Sequence, residues 1–404
     1  MPHRSSPATP GAPPGRAGLR AGPGRLRLAA AALTLLVPAG PLGAQHPARG
    51  PDQSGEGIYR AACAACHGAA GSGAPAEQVG FAVPLPDFTD CNFATREQTA
   101  DWAAIVRDGG PVRGFSRIMP AFRDALSPEE IRRVLAYLRT FCGSGSWPRG
   151  EFNLPRTQFT EKAFPEDETI LTSRVATQGP GTVDNTLIYE KRFGARAQLE
   201  VALPFSVLQR GPGGAWTAGI GDLALGPKYA LLHSLAAGTI VSLGGEVALP
   251  TGDTTKGLGT GTTVFEGYLL LGQLLPAGSW FQFQGGVGLP ADRARAPREL
   301  FWRGALGKDL SFGAISRLFA PIVEVLGTHE FGNGGASGST DWNLVPQFQL
   351  TLSARQHVRL NLGVDVPLTG TDERHPALVA YLLWDWFDGA LLEGWKGWCP
   401  GCAH

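Results

Sequence analysis

The chain has 404 residues, with 35 lysines and arginines against 35 aspartates and glutamates, so its formal net charge is zero. That length allows two or three domains, and a neutral balance offers no electrostatic argument for a nucleic-acid partner. Glycine is plentiful at 56 residues and methionine scarce at 2, so any role for a thioether falls on very few positions.

Residues 1–44 read as a signal peptide. Arg16, Arg20, Arg25 and Arg27 form a positive stretch, and the apolar run Leu28–Val37 is too short to span a bilayer but suits the core of a leader. Small residues up to Ala44 offer cleavage before Gln45, and no cysteine follows to carry a lipid. The plain alternative is a disordered start to a cytosolic protein. Export would make disulfides available.

The first motif with chemistry in it is Cys63-Ala64-Ala65-Cys66-His67. Two thiols separated by two residues, followed at once by an imidazole, make the attachment site of a c-type haem. On a short helical turn the sulfurs can form thioethers with the two haem vinyl groups, and the next residue can turn its ring nitrogen to the iron. Thioredoxin-like use would need a βαβ setting, and structural zinc would need another Cys or His pair close by. Neither is present in the surrounding sequence.

Helical signals frame the motif. Gly55–Ala62 leads into it as a short helix. Thr95 and Gln98 can cap a helix carrying Trp102, Ile105 and Val106 that stops at Gly109-Gly110. Ser127-Pro128-Glu129-Glu130 is a capping box with proline at the first helical position. Ile131, Val134, Leu135 and Leu138 then mark one face at helical spacing.

Gly57-Ile58-Tyr59, Cys63 to Gly68, Met119-Pro120-Ala121-Phe122 and Ile131 to Leu138 with Tyr137 together resemble the class I c-type cytochromes. The resemblance implies an all-α domain over about residues 45–147: a helix into the haem motif, a Met-Pro loop, and a last helix crossing the first. It implies one covalently attached haem c, held by Cys63 and Cys66. His67 and Met119 would be the axial ligands of the iron. Met1 leaves with the leader, so Met119 is the single thioether available. A core-filling methionine is the plain alternative, and His46 is the one other histidine this domain could offer. His/Met ligation raises the reduction potential relative to two histidines and closes both axial positions. That points to an electron carrier rather than an enzyme.

Cys91 and Cys142 lie outside the haem motif. In an oxidising compartment they are candidates for a structural disulfide between the loop after Pro86 and the end of the last helix. A pair of buried free thiols is the other reading. Trp102 reads as a core aromatic rather than part of an electron path.

After Gly143–Ser146 the helical signal vanishes. Residues 148–387 carry alternating segments of about ten residues separated by Gly, Pro, Asp and Thr clusters. Leu199, Val201, Leu203 and Phe205 alternate with Gln198 and Glu200. Val241, Leu243, Val247 and Leu249 alternate with Ser242 and Glu246. Phe281, Phe283, Val287 and Leu289 alternate with Gln282 and Gln284. Val358, Leu360, Leu362, Val364 and Val366 alternate with Arg359, Asn361 and Asp365, and the stretch from Trp342 to Ser353 sets Gln347 and Gln349 on its polar side. Segments of that length suit tilted membrane strands better than soluble sheets. Trp280, Trp342, Trp384 and Trp386 stand near segment ends, where an interfacial girdle would place them. We expect an all-β, roughly 12-stranded antiparallel outer-membrane barrel, with a soluble β domain as the alternative. The stretches Gly219–Tyr229 and Gly245–Asp253 resemble outer-membrane porin families, a likeness that transfers no functional residues.

No nucleophile triad, phosphate loop or carboxylate pair stands out in this half. Glu200, Asp222, Lys228, Glu246, Glu324 and Arg359 read as lumen lining, and Gly252-Asp253 with Gly257–Gly261 as a loop. The tail, residues 388–404, holds Cys399-Pro400-Gly401-Cys402-Ala403-His404. Ala403 displaces the histidine from the position a second haem would need, so a small disulfide loop or a metal site is the reading there.

An even-stranded bacterial barrel leaves both ends on the periplasmic side. The haem domain would then sit at the periplasmic mouth of a barrel embedded in the outer membrane and in contact with its lipid. One haem there cannot pass an electron across a hydrocarbon band about 25 Å tall in a single step. The expected function is an outer-membrane-anchored carrier exchanging electrons with periplasmic redox proteins. The alternative is a porin-like transport barrel whose solute passage is coupled to or gated by the haem domain. On either reading a solute or a second redox protein could enter the barrel.

Overall fold

The computed structural model describes residues 53–385, apart from positions 210, 212, 314 and 333–337. The leader, His46, Trp386 and the tail with Cys399, Cys402 and His404 lie outside the described residues.

Six α-helices come first: α1 (Gly55–Ala62), α2 (Ala64–His67), α3 (Ala76–Val79), α4 (Cys91–Ala94), α5 (Thr99–Asp108) and α6 (Pro128–Leu138). The capping box of α6 forms in full: Ser127 Oγ accepts from Glu130 N at 3.3 Å and the Glu130 carboxylate accepts from Ser127 N at 2.8 Å. The α5 start differs from expectation. Thr95 turns its hydroxyl back to the Cys91 carbonyl, and Gln98 makes no side-chain cap. Glu151, over fifty residues downstream, accepts from Thr99 N at 3.2 Å instead. The domain core joins Ile58 and Tyr59 of α1, Trp102 and Val106 of α5, and Ile131, Val134, Leu135 and Leu138 of α6.

The second half forms strand segments β1 (Glu168–Ala176), β2 (Thr182–Phe193), β3 (Ala197–Gln209), β4 (Trp216–Ile220), β5 (Leu223–Ser234), β6 (Thr239–Leu249) and β7 (Val264–Leu274). It continues through β8 (Ser279–Pro290), β9 (Arg298–Lys308), β10 (Leu310–Phe312), β11 (Ile315–Phe331), β12 (Ser339–Thr351), β13 (Val358–Pro367) and β14 (Ala377–Asp385). Neighbours along the chain pair antiparallel, β1 pairs with β14, and β9 skips β10 to pair with β11, so the sheet closes on itself. Of the 14 segments, β4 only extends the pairing of β3 and β10 that of β11; the remaining 14 − 2 = 12 make the ring. Ring strands run from 9 residues in β1 to 17 in β11, long enough for tilted spans.

The faces are inverted relative to a soluble barrel. Leu187, Leu199, Leu243, Leu306, Val323 and Leu382 are exposed on the outside, whereas Glu190, Gln198, Lys228, Gln282, Glu324 and Asn361 are buried inside. An exterior of aliphatic side chains around a polar interior is the build of an outer-membrane barrel. No described helix is long and apolar enough to cross a membrane. On β13 the outer row is graded: Leu362 is exposed, Leu360 half-buried and Val358 buried. Leu362→Arg should therefore cost the barrel about 2–4 kcal/mol if placed near the bilayer centre. Urea titration in lipid vesicles measures this, and an unchanged midpoint would take that row out of lipid.

Trp342 and Trp384 lie on the outward rows, as a girdle requires. Trp280 does not. It is 1% exposed and its indole N–H donates to Asp309 Oδ1 at 3.0 Å, because its register places it with Gln282 and Gln284 on the inner row.

Connections sort by end. The short turns 194–196, 235–238, 275–278 and 352–357 share one end with the start of β1 and the close of β14. The longer loops 250–263, 291–297 and 368–376 share the other. The helical domain packs against the short-turn end: His357 Nε2 and Glu97 Oε1 lie 3.0 Å apart, Arg196 Nε donates to the Ser146 carbonyl at 2.9 Å, and Arg96 pairs with Asp167.

The segment after Phe152 does not run outside as a linker. Residues 153–167 fold into the lumen and plug it, leaving a cavity of about 300 Å³ toward the long-loop end between Phe159, Arg303, Thr328 and Asn343. Leu154 packs with Trp280, Ala305, Ala320 and Ile322; Ala163 and Phe164 pack with Ala230, Ile240, Tyr268 and Leu270. Polar wall residues take up the irregular backbone, as any buried backbone requires. Glu324 accepts from the hydroxyls of Thr157 at 3.0 Å and Thr160 at 2.6 Å, Lys228 Nζ donates to the Lys162 carbonyl at 2.9 Å, and the Tyr381 hydroxyl donates to the Arg156 carbonyl at 2.6 Å.

The reading of the inner charges as plain lining is thus corrected. Lys228 and Glu324 anchor the plug. Asp222 braces the 250–263 loop by accepting from Gly252 N and Thr260 N. Glu246 faces Glu266 across β6 and β7, and Arg359 is buried at the base beside Asp385 and Glu97. The space offered to a solute or a second redox protein is occupied along this stretch by the chain itself.

Candidate functional site

The C-x-x-C-H stretch straddles a break between two helices. α1 ends on Cys63, whose N–H still bonds the Tyr59 carbonyl at 2.9 Å, and α2 carries Cys66 and His67 one turn on. Gly68 follows at φ +76°, a left-handed position where a Cβ would meet the Gly73 carbonyl at 3.0 Å. The chain then folds back: Gly73 N donates to the His67 carbonyl and Ala74 N to that of Cys66. The fully buried Tyr59 donates its hydroxyl to the Gly68 carbonyl at 2.7 Å, tying the turn to α1. Burial pushes the Tyr59 phenol up to about 12, so it remains a donor.

Cys63 and Cys66 are free thiols, and burial, with Cys66 beside it, pushes Cys63 up to about 11. His67 packs against Phe88 with ring centroids 5.2 Å apart and planes tilted by 43°. Burial holds its pKa below the ordinary value, so the imidazole stays neutral, the form that binds metal.

Met119 packs on the same core, the apolar cluster that includes Cys63, Ala64, Phe88, Phe93 and Phe122. Its carbonyl accepts from Gly110 N at 3.0 Å, and a Cβ on Gly110 would lie 3.2 Å from that of Met119. The Gly109-Gly110 stop of α5 therefore also seats the Met-Pro loop.

These residues suit a covalently bound haem. Two free thiols and a neutral histidine stand on one turn, and the histidine's Nδ1 is buried without a hydrogen-bond partner among the described residues. Beside them lie an apolar wall and a thioether. Cys63 and Cys66 would hold the group, and His67 and Met119 are the donors available to its iron.

Other expected residues fall outside this centre. Cys91 and Cys142 are bonded to each other with Cα atoms 5.1 Å apart, closing a 51-residue separation and pinning α4 to the end of α6. Trp102 is a core residue under the Arg139 guanidinium, 3.6 Å from its ring centroid. Two supports escaped the sequence reading. Gly55 lets α1 cross α6 so closely that a Cβ would stand 2.2 Å from the Arg133 carbonyl. Arg113 and Asp101, both buried, form an ion pair at 3.0 Å beneath the Met-Pro loop. The first had a signal in the N-cap Ser54 just before it; the second had none.

The family model described as cytochrome C oxidase, cbb3-type, subunit III matches residues 50–138. No curated protein matches the chain. Among solved structures the chain is similar to the KdgM porin, at 9% identity and TM-score 0.37 over 54% of this chain and 98% of that one. It is also similar to the NanC porin, at 8% and 0.38 over 54% and 98%, and to LpxR from Salmonella typhimurium, at 9% and 0.35 over 54% and 99%. Likeness at that level carries no argument, and the barrel stands on its own strand pairing. A cytochrome c domain binds haem c and points to electron transfer rather than to an enzyme. The chain is a cytochrome c domain joined to a closed, twelve-stranded antiparallel β-barrel of outer-membrane build.

Proposed function

We propose that the protein is an outer-membrane-anchored monohaem cytochrome that exchanges electrons with periplasmic redox proteins. On this reading residues 45–147 are the haem domain and 148–387 the barrel, with 153–167 as its internal plug. The observation that carries it is the placing of two free thiols and His67 on one turn, against the core that Met119 also enters. Bound there, haem c supplies a one-electron iron couple. Cys63 and Cys66 would hold the group through thioethers, and His67 and Met119 would be the donors to its iron. Phe88, Phe93 and Phe122 keep water from it. With both positions held by protein side chains, the domain carries electrons and does not activate a substrate.

The arrangement of connections supports a periplasmic haem domain, since bacterial barrels keep their short turns on that side and the helical domain packs on the short-turn end. The plug across the lumen favours an anchor over a transport barrel.

Expressed protein should fractionate with the outer membrane and stain for covalent haem. Its spectrum should be six-coordinate and low-spin, with a weak charge-transfer band near the red end of the visible range. Met119→Ala should abolish that band and open the iron to carbon monoxide. An unchanged mutant spectrum would sink the ligand assignment.

A further inference from the structure

The barrel touches the haem domain through a turn whose side chains do more than dock. In residues 352–357, between β12 and β13, three successive side chains reach three different places. The Arg355 guanidinium lies 4.7 Å over the Phe115 ring, Gln356 Nε2 donates to Asp101 Oδ1 at 3.0 Å, and His357 Nε2 lies 3.0 Å from Glu97 Oε1.

The first two converge on the loop that presents Met119. Phe115 lies within that loop and its N–H bonds the Gly110 carbonyl at 3.0 Å, while Gly110 N bonds the Met119 carbonyl. Asp101 Oδ1 also accepts from Arg113 Nη2 at 3.0 Å, and Arg113 ends the 3-10 turn Gly110–Arg113 at the root of the loop. Arg355 therefore grips the body of the loop and Gln356 its root. His357 holds Glu97, outside the loop.

The backbone of the turn is shaped for this. Gln356 stands at φ +65°, a left-handed conformation that glycine or asparagine takes more readily. Such outliers persist where the surroundings over-determine them. Here Ser353 Oγ accepts from His357 N at 3.0 Å and Val358 N at 3.1 Å, and Gln356 N donates to the Ser353 carbonyl at 2.9 Å. The strained position carries a buried amide aimed at a buried carboxylate.

We infer that Arg355 and Gln356 are positioning residues for Met119, so that the barrel turn sets how firmly the haem domain holds its thioether ligand. This rests on the reading of Met119 as an axial ligand. The turn then couples barrel assembly to the redox centre: the Met119 loop is fully secured only when β12 and β13 are in place.

The test uses the full chain with haem attached. Gln356→Gly removes the amide and suits the backbone angle; Arg355→Ala removes the cation over Phe115. His357→Ala breaks a contact of the same turn that does not touch the loop, and Met119→Ala checks the ligand itself. Losing a hydrogen bond to a carboxylate should raise the population with a detached loop about tenfold. Q356G should thus bind carbon monoxide about tenfold faster than wild type, and R355A, which loses a cation over an exposed ring, about two- to fivefold faster, both with a weakened red-end band and a lowered midpoint potential. H357A should match wild type in all three. Folding of each variant is read from haem stain and from the mobility of the unheated barrel on gels. If Q356G fails to assemble, R355A and Phe115→Ala carry the same comparison. If M119A loses the band while Q356G and R355A behave as wild type, or H357A shifts as far as they do, the inference is overturned and the ligand reading survives. If M119A keeps the band, the ligand reading falls first.

Discussion

Replacing Cys63 and Cys66 together with alanine is expected to abolish covalent haem entirely. Among the described residues these are the two free cysteines, and Cys91 and Cys142 are bonded to each other. Thioether attachment needs both sulfurs and the histidine directly after the second, and only this stretch supplies them. Denaturing gels stained for haem give the answer, because only covalently held haem survives them. Cys399→Ala with Cys402→Ala should leave the stain untouched. Loss of stain in that tail variant would mean that the second cysteine pair binds haem despite Ala403.

The second large effect lies in the plug. Arg156 Nη1 stands 2.6 Å from Glu190 Oε1 and 3.3 Å from Glu168 Oε1, and both carboxylates are fully buried. Arg156→Ala leaves two charges with part of their compensation gone. Breaking a buried pair from one side costs about 3–5 kcal/mol, since the remaining charge cannot return to water. Urea titration of the barrel in lipid vesicles should show a loss of that order. A loss under about 1 kcal/mol would mean that water or Lys162, 3.1 Å from Glu168, replaces the arginine. Deleting residues 155–165 adds a functional readout. Wild-type protein in planar bilayers should conduct no steady current and the deletion should conduct. A steadily conducting wild type would restore the transport reading.

The candidate haem residues stand out in the sequence because their logic is local. Cys63, Cys66 and His67 work as a spacing of five residues, and the α6 capping box is complete within Ser127–Glu130. The barrel was legible because alternation of period two survives in strands such as β8 and β14, and because a run such as β12 is too long for an ordinary soluble sheet. Met119 stands out as a candidate by its scarcity and by the proline that follows it.

What the tertiary structure decided are the features whose partners lie far away. Residues 153–167 have no period, because their backbone N–H groups bond wall side chains such as Gln347, Glu324 and Gln284. A segment that borrows its hydrogen bonds from residues more than 160 positions on carries no local sign that it is ordered. Trp280 looked like a lipid-facing aromatic until register put it on the inner row opposite Gly307, where its indole meets Asp309. Nothing in the sequence marks Gln356. Its left-handed backbone and its reach to Asp101, 255 positions away, exist only once the barrel has closed and brought its turn beneath the haem domain. Local pattern reports which face a residue prefers and which cofactor a spacing suits. It does not report what fills the space that those preferences enclose, because that depends on contacts the chain makes only after it has folded.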